Sequence, residues 1–257
     1  MLLAISRTIS DIAVLTRREI LKYLRLPQLL VFNALLNVVL LLLFNYVFGG
    51  AIQTGGASYI QYFLPGFIAQ TVVFGSTQTS VAIAEDLSKG LIDRFRSLPM
   101  ARSAFLAGRV ISDAIRYLVL LLLMVAVGSI IGFRFQNGVG PAIAGLALVV
   151  LFGIGLTWLA VFIGVSVKDV ETAQTAGFVW VFPLVFASST YVPIQTMPGW
   201  LQAFAKINPV TPMVDTVRAL FLGGEAFPSL WKILAWSAGL IVVFLFLAIR
   251  RYRLLAI

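Results

Sequence analysis

Between Glu85 and Arg102 the chain reads EDLSKGLIDRFRSLPMAR, in which Glu85, Asp86, Lys89, Asp93, Arg94, Arg96 and Arg102 are charged. Carboxylates, an ammonium and guanidiniums lie within a few residues of one another. The chemistry on offer is ionic, hydrogen-bonded docking of a partner surface. Catalysis is poorly served anywhere in the chain. There is no Cys and no His, which excludes disulfides, thiolate nucleophiles and His-ligated metals. The five lysines follow Leu21, Ser88, Val167, Ala205 and Trp231, so no Gly-Lys pair exists to form a phosphate-cradling P-loop. No residue is assigned a catalytic or metal-binding role.

The elements that must position this charge are apolar. The chain is 60% hydrophobic and only 11% charged, with a mean hydropathy of +1.01. Uncharged stretches occur at 29–48, 60–84, 117–133, 141–167, 172–190 and 233–249. About 20 apolar residues suffice to cross a bilayer. A soluble protein accommodates one such run, not six. The expected fold is therefore an all-α polytopic membrane protein with six transmembrane helices. Pro65 and Pro183 are tolerable kinks within the second and fifth.

A formal charge of +9 fits either nucleic-acid binding or basic cytoplasmic loops. Placement decides. The N-terminal segment carries Arg7, Arg17, Arg18, Lys22 and Arg25, and the loop after the second span carries Lys89, Arg94, Arg96, Arg102, Arg109 and Arg116. With Lys168 in the fourth loop set with them and Arg250, Arg251 and Arg253 at the C-terminus, fifteen of 19 basic residues fall on one side. Arg134, Lys206, Arg218 and Lys232 fall on the other. The positive-inside rule puts both termini in the cytoplasm and makes nucleic acid a poor partner. The run at 29–48 is too long for the apolar core of a cleavable leader and follows a charged segment of 28 residues, so it is expected to stay as the first span.

Around the spans lie three further features. At 100° per residue, Arg7, Asp11, Arg18, Lys22 and Arg25 share one side of an N-terminal helix, and Ile5, Ile9, Ile12, Ile20 and Tyr23 the other. This reads as a helix on the membrane surface; contact with a partner as well is the sharper reading. In the opening stretch, Leu87, Leu91, Phe95 and Leu98 form one face of a short helix that Pro99 ends, and a second helix starts near Ser103. On the far side, Pro198, Trp200, Leu201, Phe204 and Ile207 predict one short amphipathic helix. Thr211-Pro212 as cap and first residue, with Gly223-Gly224 as the stop, predict a second over 212–222. Asn208, Pro209, Thr211, Pro212, Arg218 and Gly223 are the candidate structural residues of this re-entrant region.

Inside the spans, ionisable residues are missing near the centres, with Asp113 and Arg116 at the cytoplasmic entrance of the third. That counts against an ion-coupled carrier. Uncharged polar residues are present instead. Asn33 and Asn37 share a face of the first span, and the second contains Gln70, Thr71, Thr77 and Gln78. Such groups bond across helices, line a path for an amphipathic substrate, or do both.

Six spans, an amphipathic N-terminal helix, a charged loop after the second span and two short helices before the sixth together resemble the permeases of the ABC type-2 exporter family. EDLSKGLIDRFRSLPMARSAFLAGRVISD at 85–113 and INPVTPMVDTVRALFLGG at 207–224 look most like the daunorubicin-resistance-type bacterial permeases. The resemblance implies one transmembrane domain over 1–257. Its parts are an interface helix at 1–28, spans one to five at 29–190 with a coupling loop at 85–109, outer re-entrant helices at 191–232, and the sixth span with a cytoplasmic tail at 233–257. Glu85, Asp86, Gly90, Arg94, Arg96, Pro99 and Arg102 match the coupling-helix pattern, to which Lys89, Asp93 and Phe95 add. Arg7, Arg18, Lys22 and Arg25 belong to the interface helix. The first, second and fifth spans would frame the translocation path.

The same resemblance implies partners: two cytosolic ABC ATPase subunits holding ATP and Mg, a second permease chain, identical or homologous, and membrane lipid. This chain itself would bind no cofactor. The expected location is the bacterial inner membrane, and the expected activity is export of a drug, lipid, polyketide or lipid-linked glycan. An ATP-independent carrier or channel, and a non-transporting membrane scaffold, are the alternative readings.

Overall fold

A computed structural model describes residues 2–25, 27–50, 52, 58–90 and 104–254. Within them are nine α-helices and no strand: α1 Leu2–Arg25, α2 Pro27–Leu43, α3 Tyr59–Ser88, α4 Ala104–Ile130, α5 Val139–Gly164, α6 Val170–Phe186, α7 Gly199–Ile207, α8 Val210–Leu222 and α9 Phe227–Leu254. A π-helical turn, Phe44–Phe48, extends α2. Among the described residues, four segments are long and apolar enough to cross a membrane: Val31–Phe48, Ala104–Ile130, Val139–Gly164 and Phe227–Tyr252. The other two expected spans differ. Gln, Thr and Ser residues lower the apolarity of α3, and α6 is apolar but has only 17 residues.

α3 is nevertheless the most enclosed element, packed against α4, α5, α6 and α8. Its hydroxyls are neutralised locally. Thr71 donates to the Phe67 carbonyl, Ser76 to Val73, Thr77 to Phe74 and Ser80 to Thr77, at 2.6–2.9 Å. A polar helix can thus sit in an apolar bundle without orphaned donors. Gly66 allows close approach at the α8 end, where an added Cβ would lie 2.6 Å from the Thr190 carbonyl oxygen. α2 is the least enclosed, with Val31, Phe32, Leu35, Leu36, Val39 and Leu43 exposed.

Two apolar clusters fill the bundle. The larger surrounds Phe63, Phe67, Tyr117, Phe152 and Phe221, and the smaller joins Leu15 of α1 to Ile83, Leu106, Val161 and Tyr252. α1 lies on α4, with Thr16 donating to the Gly108 carbonyl at 3.3 Å. Among its described side chains, Leu15, Thr16 and Glu19 are buried. Gly108 makes this approach possible, because only a residue without Cβ admits Leu15 so closely.

Two local expectations need correction. The short amphipathic helix expected over 87–98 does not run on from α3, which ends at Ser88 with Gly90 in the left-handed region at φ +65°, while 91–98 lie outside the described residues. Glycine there is the usual helix stop. The Thr211-Pro212 cap is also displaced. α8 begins at Val210, whose N–H bonds to Asn208 Oδ1 at 2.9 Å, while the Thr211 hydroxyl is buried without a partner among the described residues. Asn208 takes over because an Asx turn satisfies the first free N–H one residue earlier. The stop at Gly223 and Gly224 is as expected, at φ +90° and +128°.

Candidate functional site: a buried ionic cluster beneath a polar cleft

The spacing Arg109, Asp113, Arg116 puts three ionisable side chains on one face of α4. All three are buried, and Asp113 is sealed from solvent. Asp113 Oδ2 accepts from Arg109 Nε at 3.3 Å and from the Thr79 hydroxyl at 2.7 Å. Its Oδ1 accepts from Arg116 Nη2 at 3.0 Å and Nε at 3.1 Å. Arg109 Nη1 reaches Glu19 of α1 at 2.9 Å. Arg116 donates to Gln78 Oε1 at 2.8 Å and to the Gly75 carbonyl at 3.0 Å. Two carboxylates and two guanidiniums balance in charge and tie α1, α3 and α4 together. A buried ion group of this kind holds only while each member keeps its partner. Sequence reading named neither Glu19 nor Arg109 as a site. The signal available was two acids, Asp11 and Glu19, in an otherwise basic helix.

Above the cluster, α2, α3 and α6 enclose a cleft of about 510 Å³. The six candidate path residues, Asn33, Asn37, Gln70, Thr71, Thr77 and Gln78, all line it, joined by Gln174 and Phe178 of α6. A second cavity, about 490 Å³, shares Asn33, Leu36, Gln78 and Val81 with the first and reaches Glu19, Lys22, Glu85, Arg109 and Arg116. The two form one polar track from the α1 end to the bundle interior. Asn37 Nδ2 donates to both oxygens of Asn33, at 2.8 and 3.3 Å, and Thr71 lies 3.3 Å from Asn37 Oδ1. Interhelical bonding and cleft lining therefore coexist at the same residues.

The other end of the cleft is closed by aromatic rings. The Tyr191 hydroxyl donates to Gln70 Oε1 at 2.5 Å. Its ring lies 5.0 Å from Phe44, 5.8 Å from Phe63 and 5.1 Å from Phe186. Nearby, the Arg218 guanidinium sits 3.8 Å over the Tyr62 ring and donates to the Tyr62 and Ser189 carbonyls at 3.2 and 2.9 Å. Asn208 donates to Leu184 and Ala187 at 2.7 and 2.8 Å. Arg218, Asn208, Pro209, Pro212 and Gly223 thus frame α8 rather than the cleft.

At the α1 end, Arg18, Lys22 and Arg25 are exposed, and Arg18 also pairs with Glu19 at 3.4 Å. The Arg7 side chain lies outside the described residues. Glu85 pairs with Lys89, whose hydrogen bond holds the carboxyl below its ordinary range; the same bond raises the Lys89 ammonium. Asp86 is buried, which pushes its carboxyl up. Asp93, Arg94, Phe95, Arg96, Pro99 and Arg102 lie outside the described residues.

Comparison with known proteins follows the same lines. Residues 10–222 match the family model described as ABC-2 type transporter. The chain is 34% identical over 236 residues to the daunorubicin resistance ABC transporter permease protein DrrB1 of Streptomyces coeruleorubidus, covering 92% of this chain and 83% of that protein. It is 29% identical over 210 residues to the probable doxorubicin resistance ABC transporter permease protein DrrC of Mycobacterium tuberculosis, covering 81% and 75%. Similarity to the probable multidrug ABC transporter permease YbhR of Escherichia coli K12 is lower, at 23% over 179 residues, and covers 68% of this chain and 47% of that one.

Proposed function

Because the chain belongs to the ABC-2 type transporter family and is a membrane permease subunit of an ABC exporter, we propose that it moves an amphipathic substrate through the cleft between α2, α3 and α6. In this reading ATP is hydrolysed on a separate subunit, two of which dock on the α1 end. A second permease chain, identical or related, covers the exposed face of α2. Six helices cross the bacterial inner membrane, with α3 and α6 as the second and fifth. Both termini are cytoplasmic, α7 and α8 are re-entrant from the outside, and the substrate comes from the cytoplasm or the inner leaflet. The relatives named for daunorubicin and doxorubicin resistance support drug-like amphiphiles as cargo.

The observation that carries the proposal is the continuity of the polar track with the ionic cluster. Gln78 lines the cleft and is held by Arg116, which shares Asp113 with Arg109, which in turn holds Glu19 on α1. Closure of the ATPases would press on α1 and on the 85–102 segment. A stiff ionic link passes that displacement to α3 and α4 instead of dissipating it in soft packing. The docking role of 85–102 rests on its mixed charge. The test is reconstitution with the partner ATPase. Arg94→Glu combined with Arg96→Glu should abolish complex assembly and transport-coupled hydrolysis; if both persist, that segment does not dock the ATPase.

A further inference from the structure

The cleft has a polarity of its own. Asn33, Gln70 and Gln78 each present a carboxamide whose oxygen is already occupied: Asn33 Oδ1 by Asn37 Nδ2 at 3.3 Å, Gln70 Oε1 by the Tyr191 hydroxyl at 2.5 Å, and Gln78 Oε1 by Arg116 Nη1 at 2.8 Å. Arginine can only donate, which fixes the orientation of the Gln78 amide. The three amide NH₂ groups have no partner among the described residues, and all three residues line the same cleft. The lining is thus biased towards donors.

Charge is handled separately. No charged side chain lines the cleft among the described residues, and the guanidiniums below it are matched by Glu19 and Asp113. An ammonium head entering here would find three donor groups against the one unoccupied carboxamide oxygen of Gln174, and no carboxylate to balance its charge. Within the cleft a phosphate or carboxylate head would find donors but no counter-charge, since Lys22 lines only the adjoining cavity. An uncharged head bearing hydroxyl, ether or carbonyl oxygens meets the NH₂ groups at no such cost. Phe74 and Phe178 supply aromatic faces for an apolar body.

We infer that the cleft selects uncharged amphiphiles whose polar part is rich in hydrogen-bond acceptors, such as glycosides and polyols, over cations and anions of the same body. This rests on reading the cleft as the substrate path. It defines the cargo more narrowly than the family does and sets it apart from daunorubicin and doxorubicin, the amine-bearing drugs in the relatives' names.

The experiment uses the full-length chain in nanodiscs and three fluorescent amphiphiles with one common acyl tail and a glucosyl, a primary ammonium or a phosphoglycerol head. The glucosyl probe should bind at least about tenfold more tightly than either charged probe. Asn33→Leu with Gln70→Leu should erase that preference. Gln70→Glu should shift it towards the ammonium probe, a gain that misfolding cannot produce. Equal or tighter binding of a charged probe, glucosyl binding indifferent to these substitutions, or no binding of any probe would overturn the inference. Failure of the broader proposal reads differently: selective glucosyl binding would stand, but ATP-driven movement of the probe would be absent in proteoliposomes containing the ATPase.

Discussion

Arg109 of α4 and Glu19 of α1 form an ion pair at 2.9 Å, and each side chain is more than nine-tenths shielded from solvent. The pair joins α1 to the bundle. Removing one partner leaves the other charged and buried, at a cost of about 3–5 kcal/mol. Glu19→Ala should therefore unfold at markedly lower temperature than the parent. Replacing both partners, Glu19→Leu with Arg109→Met, should restore most of that stability, since Asp113 keeps Arg116. It should not restore substrate-stimulated ATP hydrolysis, because the link to α1 is gone. Thermal unfolding and ATPase assays on the three proteins check both halves.

A second prediction concerns Gly66. A methyl group there would meet the Thr190 carbonyl oxygen at 2.6 Å, a backbone atom that cannot rotate away. Gly66→Ala should cost about 1–3 kcal/mol through forced separation of α3 from the 188–191 segment. Gly199→Ala, with open space around the new methyl, is the control. Denaturant titration of both variants reports the difference.

Arg218 supplies the third. Its guanidinium stacks on Tyr62 and donates to two carbonyls as well as pairing with Asp215 at 3.2 Å. Lysine keeps the charge but lacks the planar fork. Arg218→Lys should cost about 1.5–3 kcal/mol, the range for hydrogen bonds to a charged group. A cost near zero would mean that charge alone holds α8 in place.

The Glu85–Lys89 pair sets a pH window. The Glu85 carboxyl is depressed in the fold, so its contribution is present above the unfolded carboxylate value and fades as pH falls through the folded one. Lys89 is raised, so its contribution is present below the unfolded lysine value and fades as pH climbs through the folded one. The end of α3 should be most ordered between those limits and fray in acid. Cα chemical shifts of labelled Ser88 against pH measure this, and Lys89→Ala should remove the dependence.

Much of this was legible in residue order. Short-range rules suffice for the basic α1, for Gly223 ending α8, and for polar faces on α2 and α3. What was not legible is long-range. The fifth span was expected at the path, but that Phe178 faces it beside Gln174 follows only from the packing of α6 on α3, and Tyr191 reaches Gln70 across 121 residues of chain. Glu19 looks no different from Asp11, the other acid of a basic helix, until Gly108 lets α1 down on α4. The helical periodicity of 87–98 passed over Gly90, whose φ of +65° marks the stop just after Ser88.

The central claim is that ATP on a partner opens and closes the cleft that Asn37 lines. The chain has no native cysteine, so Asn37→Cys gives a single reporter. Its reaction with a membrane-impermeant maleimide supplied from the cytoplasmic side should be measured in proteoliposomes with the ATPase, first without nucleotide and then with ATP trapped. The account predicts ready labelling without nucleotide and a several-fold slower rate in the trapped state. A rate that does not change with nucleotide would contradict it.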